Sequence, residues 1–339
     1  MMKSLIPAVL IQALAAFGAG ADELTVQLRG TSPSTSAGFL LAEARGYYAD
    51  EGLTVRLLPA DDAPPFESIA RGYADLAVEW MPVALVAREN GLPLVNIGQI
   101  FARPALRLTC LAETGVTSAA DLGGKTIGSW FHGTEYALQA WLNRLNLIPD
   151  DSLSGVSLLS QWPGSEMLSH KQAACISTLS DDPVPGDRLV ELDPQAQGAA
   201  VLEDGLYVLS SALTNEDAEE RLAAFLRASM KGWREATSAP DESARLLLGP
   251  DPDPDALRRH AEMLRRMGAR LSADGALDEA EYRRTVAALR AGGARAVLRH
   301  DPQDAYTTRI SARANRPEPA PPAPTPAASG AAEAAPQQQ

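Results

Sequence analysis

From Trp130 to Tyr136 the chain reads Trp-Phe-His-Gly-Thr-Glu-Tyr, and Trp141 follows within the next turns. Four of the twelve residues from Trp130 to Trp141 are aromatic in a chain that is 5% aromatic, so ring faces are concentrated here. The chemistry on offer is recognition: Trp130 and Tyr136 provide faces for stacking, and Glu135 provides a carboxylate acceptor. The run follows Lys125-Thr126-Ile127-Gly128-Ser129, which reads as a short strand, and it opens a helix. Open α/β sheets hold ligands at such strand-to-helix turns, against helix N-termini. A flat, partly polar small molecule suits this turn. Plainer roles stand beside that one. Glu135 at a helix start is favoured by the macrodipole alone. Trp141 has core spacing within the helix, and Trp162 beside Pro163-Gly164 reads equally as loop cover or pocket wall.

Catalytic patterns are not matched. Gly123-Gly124-Lys125-Thr126 resembles a phosphate loop, but Ala119 stands where that motif needs glycine. There is no Gly-x-Ser-x-Gly elbow. His132, His170, His260 and His300 are scattered without zinc-ligand spacing. The expectation is a binding protein with no catalytic residue, metal or cofactor.

The elements needed to position the cluster alternate as β and α. Strand patterns occur at Leu24 to Leu28, Leu53 to Leu58, Leu76 to Val78, Leu94 to Gln99 and Leu106 to Leu111. They recur at Gly124 to Ser129, Val156 to Ser160, Ala174 to Thr178 and Leu206 to Ser210. Helical patterns fall between them, including Thr134 to Leu145, and a long amphipathic one covers Asp217 to Glu235. Two more cover about 255–268 and 278–291. This alternation predicts a mostly parallel sheet in each of two units. Two crossings between the units would leave a cleft.

The ends read differently. Lys3, the apolar run Leu5 to Phe17 and Ala19-Gly20-Ala21 form a secretory signal peptide over 1–21, cleaved between Ala21 and Asp22. The Pro/Ala-rich stretch over 313–339 lacks the apolar surface to fold and is expected to be disordered. The formal charge of −13 becomes −14 when Lys3 leaves. That balance argues against nucleic acid and anionic membranes as partners. It also leaves few cations to build a site for a strongly anionic substrate. Cys110 and Cys175 are too few for a disulfide framework, and both are expected as buried free thiols, although an exported chain permits their pairing.

Ala37-Gly38-Phe39, Arg45-Gly46-Tyr47-Tyr48-Ala49-Asp50-Glu51-Gly52-Leu53, Asp75-Leu76-Ala77-Val78 and Asp121-Leu122-Gly123-Gly124-Lys125-Thr126-Ile127-Gly128 resemble, in order, the NMT1/THI5-like solute-binding proteins of ABC importers. That family includes nitrate, taurine, sulfonate and thiamine-pyrimidine binders. Trp130 to Tyr136, Ala174 to Thr178, Leu202 to Tyr207 and Ala228 to Trp233 resemble its pyrimidine-linked branch, and the similarity runs from about Leu24 to Tyr306. The resemblance implies a type II periplasmic-binding fold. Lobe 1 would comprise 22–107 and 206–312, and lobe 2 would comprise 108–205. It also implies a monomer in the periplasm whose partners are a small heteroaromatic ligand, a permease and, through it, an ATPase.

The same resemblance implies ligand contacts from Ser34, Thr35, Ser36, Trp80, Trp130, Glu135, Tyr136, Ser177, Thr178, Glu203 and Asp204. Ser34 to Ser36 also suit helix capping, and Glu203-Asp204-Gly205 also suits a turn. After Thr178 the chain departs from the branch pattern with a shortened Leu179-Ser180-Asp181-Asp182-Pro183-Val184-Pro185, so one pocket wall differs. One family relative is a pyrimidine synthase that depends on a Cys-rich segment with no counterpart here. A second ligand class, sulfonate or nitrate, and a non-transport role as sensor or scaffold engaging a partner through the tail are the competing expectations. Truncation at about Asn315 separates the last of these, because importer function should survive it.

Overall fold

A computed structural model describes residues 23–30, 32–60, 64–131, 133–147, 155–161, 166–182, 184 and 186–317. The expected signal peptide, His132, Trp162 and most of the expected tail lie outside the described residues. The strands are β1 (Glu23–Gln27), β2 (Thr54–Leu58), β3 (Leu76–Trp80), β4 (Leu94–Gln99), β5 (Leu106–Leu111), β6 (Thr126–Ser129), β7 (Ser157–Ser160), β8 (Cys175–Leu179), β9 (Leu189–Leu192) and β10 (Asp204–Leu209). The helices are α1 (Ala37–Ala44), α2 (Tyr47–Asp50), α3 (Pro65–Ala70), α4 (Met81–Glu89), α5 (Glu135–Arg144), α6 (Glu166–Ser169), α7 (Glu216–Ser238), α8 (Pro240–Leu248), α9 (Pro254–Met267), α10 (Glu279–Leu289) and α11 (Arg309–Ala314).

Two five-stranded sheets form, ordered β2-β1-β3-β10-β4 and β7-β6-β8-β5-β9. Each is parallel except for one strand: β10 runs antiparallel to β3 and β4, and β5 runs antiparallel to β8 and β9. These are the strands that carry the chain between lobes, which is why each enters its sheet from the cleft side. β1 beyond Glu23 and all of β3 are buried on both faces, with Thr25, Gln27 and Glu79 among the buried side chains, because helices cover both sides of a parallel sheet. Sequence periodicity missed β9, α2, α6, α8 and α11, which are short or highly charged. The last, α11, extends to Ala314, with Ile310 and Ala314 buried and Arg313 paired to Glu219 at 3.1 Å. The first positions of the expected tail therefore pack on α7.

In lobe 1, α1 crosses α7 so closely that glycine is required on both. A Cβ at Gly38 would stand 2.1 Å from the Trp233 ring, and one at Gly232 would stand 2.1 Å from the Gly38 carbonyl oxygen. The surrounding core is aromatic: Phe39 stacks on Phe225 at 6.2 Å and meets Trp233 edge-on at 5.8 Å. The core of lobe 2 is built from Leu108, Val116, Leu122, Ile127, Leu138, Trp141 and neighbours.

The expectation of two free thiols is corrected. Cys110 and Cys175 form a disulfide between β5 and β8, at directly opposed positions of the antiparallel ladder. Opposed residues of two strands 65 positions apart meet only once the sheet has formed.

Candidate ligand site

The carboxyl ends of β1 and β3 and the start of β10 converge at one end of the first sheet. There the chain places Arg29, Glu79, Trp80 and Asp204. Arg29 Nε donates to Glu79 Oε1 at 3.1 Å, and its Nη1 donates to Asp204 Oδ1 at 3.0 Å. The guanidinium also lies over the Trp80 ring, 4.8 Å from its centroid. The Trp80 amide donates to the same Glu79 Oε1 at 2.8 Å. One cation thus faces two carboxylates on an indole face. Burial pushes the Glu79 carboxyl above its usual range, with Arg29 pulling the other way. Burial would lower the Arg29 pKa, but Asp204 and Glu79 carry it above the ordinary guanidinium value.

From the second sheet come Trp130, at the end of β6, and the turn into α5. Trp130 is half-buried and packs on the apolar cluster that contains Trp80, Met81, Leu106, Ala137, Val201 and Leu202. Trp80 and Trp130, 50 positions apart in sequence, therefore share one cluster at the junction of the lobes. Trp80, an expected ligand contact, is only 2% exposed and is covered by Arg29 and by this cluster. Tyr136 is half-buried beside Gly133, where a Cβ would stand 2.9 Å from Val83 of α4. Burial raises the Tyr136 phenol, and the neighbouring Glu135 adds to this. Glu135 Oε2 accepts from the Gly133 amide at 2.7 Å, which closes the turn into its own helix.

The other expected contacts are engaged within the fold. Ser34 is fully buried, its Oγ 2.5 Å from His260 Nδ1 of α9. Thr35 Oγ1 donates to the Ser32 carbonyl at 2.6 Å, and Ser36 Oγ donates to Arg29 O at 3.4 Å. Ser177 Oγ donates to Gly128 O at 3.1 Å, and Thr178 pairs with Thr109 at 2.8 Å. Glu203 has a different task from the expected ligand contact. Its Oε1 accepts from the amides of Ala105 and Leu106 at 2.7 and 2.8 Å, so it fastens one crossing segment to the other. Burial raises its carboxyl, against the pull of Arg270.

Neither Arg29 nor Glu79 is among the residues singled out from the sequence. Both had a signal: each is a charged residue in or directly after a buried strand, where charge needs a partner.

Three comparisons place the chain among known proteins. The NMT1/THI5-like family matches residues 34–243. A formylaminopyrimidine-binding protein from Halalkalibacterium halodurans is 28% identical over 216 residues, which is 61% of this chain and 64% of that protein. The chain thus matches just under two thirds of that relative's length. A 4-amino-5-hydroxymethyl-2-methylpyrimidine phosphate synthase from Legionella pneumophila is 31% identical over 90 residues, covering 26% of this chain and 28% of that one. Among solved structures, the ligand-binding component of an ABC-type import system from Staphylococcus aureus superposes with a TM-score of 0.61 at 11% identity. That alignment covers 87% of this chain and 99% of that one, and it establishes the shared fold. With its two crossed-over α/β lobes and a family match over most of its length, the chain belongs to the NMT1/THI5-like family and has the periplasmic-binding-protein fold.

Proposed function

We propose that the chain is the solute-binding component of an ABC importer in the periplasm. It captures a small heteroaromatic bearing hydrogen-bond donors, such as a thiamine-precursor pyrimidine, and hands it to a permease without reaction. The observation that carries this reading is the cluster at the carboxyl ends of β1 and β3 in which Arg29 is held between Glu79 and Asp204 over Trp80. Each carboxylate has a second oxygen, Glu79 Oε2 and Asp204 Oδ2, with no hydrogen-bond partner among the described residues. Neither is among the sealed polar atoms of the interior. Amino N–H groups of a ring fit such acceptors, and a charge-assisted bond of this kind contributes roughly 1.5–3 kcal/mol.

Stacking on Trp130 or Tyr136 adds on the order of 0.5–1.5 kcal/mol per pair beyond burial. Two such pairs and enclosure of the ligand reach the micromolar range, about −8 kcal/mol. The formylaminopyrimidine-binding relative supports the same ligand class. A sulfonate or nitrate would instead need Arg29 released from both of its carboxylates.

Calorimetry with 4-amino-5-hydroxymethyl-2-methylpyrimidine, taurine and nitrate in parallel separates these classes. Heat is expected with the pyrimidine alone. Asp204→Asn is expected to weaken that binding by roughly ten- to a hundredfold, and Glu135→Ala to weaken it further if Glu135 accepts from the same ring. Binding of taurine in place of the pyrimidine would overturn the reading.

A further inference from the structure

Arg270 lies where both crossings meet both lobes. The stretch it belongs to is annealed along the first crossing: Ala102 N donates to Arg270 O, and Ser272 N to Ile100 O, each at 2.8 Å. The guanidinium stacks 4.1 Å from the centroid of Phe101, which meets Trp233 of the lobe 1 core edge-on. Arg270 is therefore a lobe 1 residue. Its fork reaches outward in two directions. Nη1 donates to Glu203 Oε2 at 3.1 Å and to Arg103 O at 3.0 Å. Nε donates to Asp181 Oδ2 at 2.6 Å.

Asp181 belongs to lobe 2, two residues beyond the end of β8, and the preceding Ser180 amide donates to Ala105 O at 2.8 Å. Arg270, Asp181 and Glu203 are all more than nine-tenths buried. The two acids divide the work. Glu203 ties the crossings together through the Ala105 and Leu106 amides, and Asp181 carries an ion pair from Arg270 to the segment that follows β8 of lobe 2. A rigid guanidinium fork in low-dielectric surroundings resists rotation of its partners.

We propose that Asp181, through Arg270, is a positioning residue that sets the angle between the lobes and hence the width of the cleft. This holds whichever ligand class the cleft takes.

The test is amide hydrogen exchange and small-angle scattering on the ligand-free full chain carrying Asp181→Asn. The Asn is isosteric and leaves Arg270 compensated by Glu203. The Ser180 amide is expected to exchange at least about tenfold faster, with Ala105, Leu106 and the β5 amides unchanged and a larger radius of gyration. No change at Ser180 and none in scattering would overturn the proposal. A uniform loss of protection through β5 and β8 would also overturn it, because Asp181 would then serve stability alone. If Asp181→Asn does not yield folded protein, Arg270→Lys keeps the charge beside Glu203 while giving up the fork, and the same readouts decide.

Discussion

The two lobes share a sheet plan and differ in how the sheet is secured. Lobe 1 builds its core around stacked and edge-on rings, with Phe39, Tyr48, Phe101, Phe225 and Trp233 in contact, and wraps it with α1, α7, α8 and α9. Lobe 2 is smaller, its core is mainly aliphatic, and it carries the Cys110–Cys175 cross-link at its centre. Small units bury a smaller share of their surface and gain most from a covalent staple. The same fold is thus secured once by aromatic packing and once by a disulfide, and the two lobes should respond to different insults.

The largest expected effect comes from removing the staple. Closing a loop of this span contributes on the order of 4 kcal/mol in the chain-entropy picture, and measured losses run about 2–5 kcal/mol. Cys110→Ser with Cys175→Ser should therefore pull an early transition out of the thermal unfolding curve, assignable to lobe 2 by loss of exchange protection in β5 and β8. A single transition shifted as a whole would show instead that the lobes unfold as one unit.

Next in size, Gly38→Ala forces a methyl into the Trp233 ring. Overpacking of this kind costs about 1–3 kcal/mol or more. Loss of protection should fall on α1 and α7 and spare the disulfide-linked strands. An equal effect in lobe 2 would erase the distinction between the lobes.

The smallest effect is in acid, and it has opposite signs in the two lobes. Asp121 Oδ2 accepts from the amides and hydroxyls of both Thr117 and Ser118, at 2.9–3.0 Å, which holds its pKa down to about 2 from 3.8. A lowered acid contributes stability that is present above 3.8 and lost as pH falls through about 2. Burial raises Glu79 above 4.5, so ionising it works against folding, and lobe 1 is relieved as pH falls through that raised value. Melting of Asp121→Asn from pH 5 to pH 2 should show a flatter decline for lobe 2 than in the wild type, with lobe 1 unchanged. An identical decline in both proteins would remove Asp121 as the cause.

Several features were legible in the sequence because their causes are local. Apolar runs of period two and 3.6 located nine of the ten strands among the described residues and the long α7, and the order of β and α patterns led to two α/β units. The turn from β6 into α5 is legible from the strand pattern before it, the helical pattern after it and its aromatic residues. β9 escaped because Leu189–Leu192 is a half-buried strand of four residues among charges and turns, with little apolar period to detect.

The sequence by itself determined which segments could be strands and helices and that they would form two α/β units. Neighbouring residues decide those properties. The tertiary structure alone decided which distant groups meet: Cys110 with Cys175 across 65 positions, Arg29 with Asp204 across 175, and Arg270 with Asp181 across 89. Such pairings follow from strand order and the packing of helices over the sheets. No short window of sequence contains that information, and for this reason Ser34, Ser177 and Glu203 hold the scaffold with polar side chains that the family resemblance assigned to the ligand.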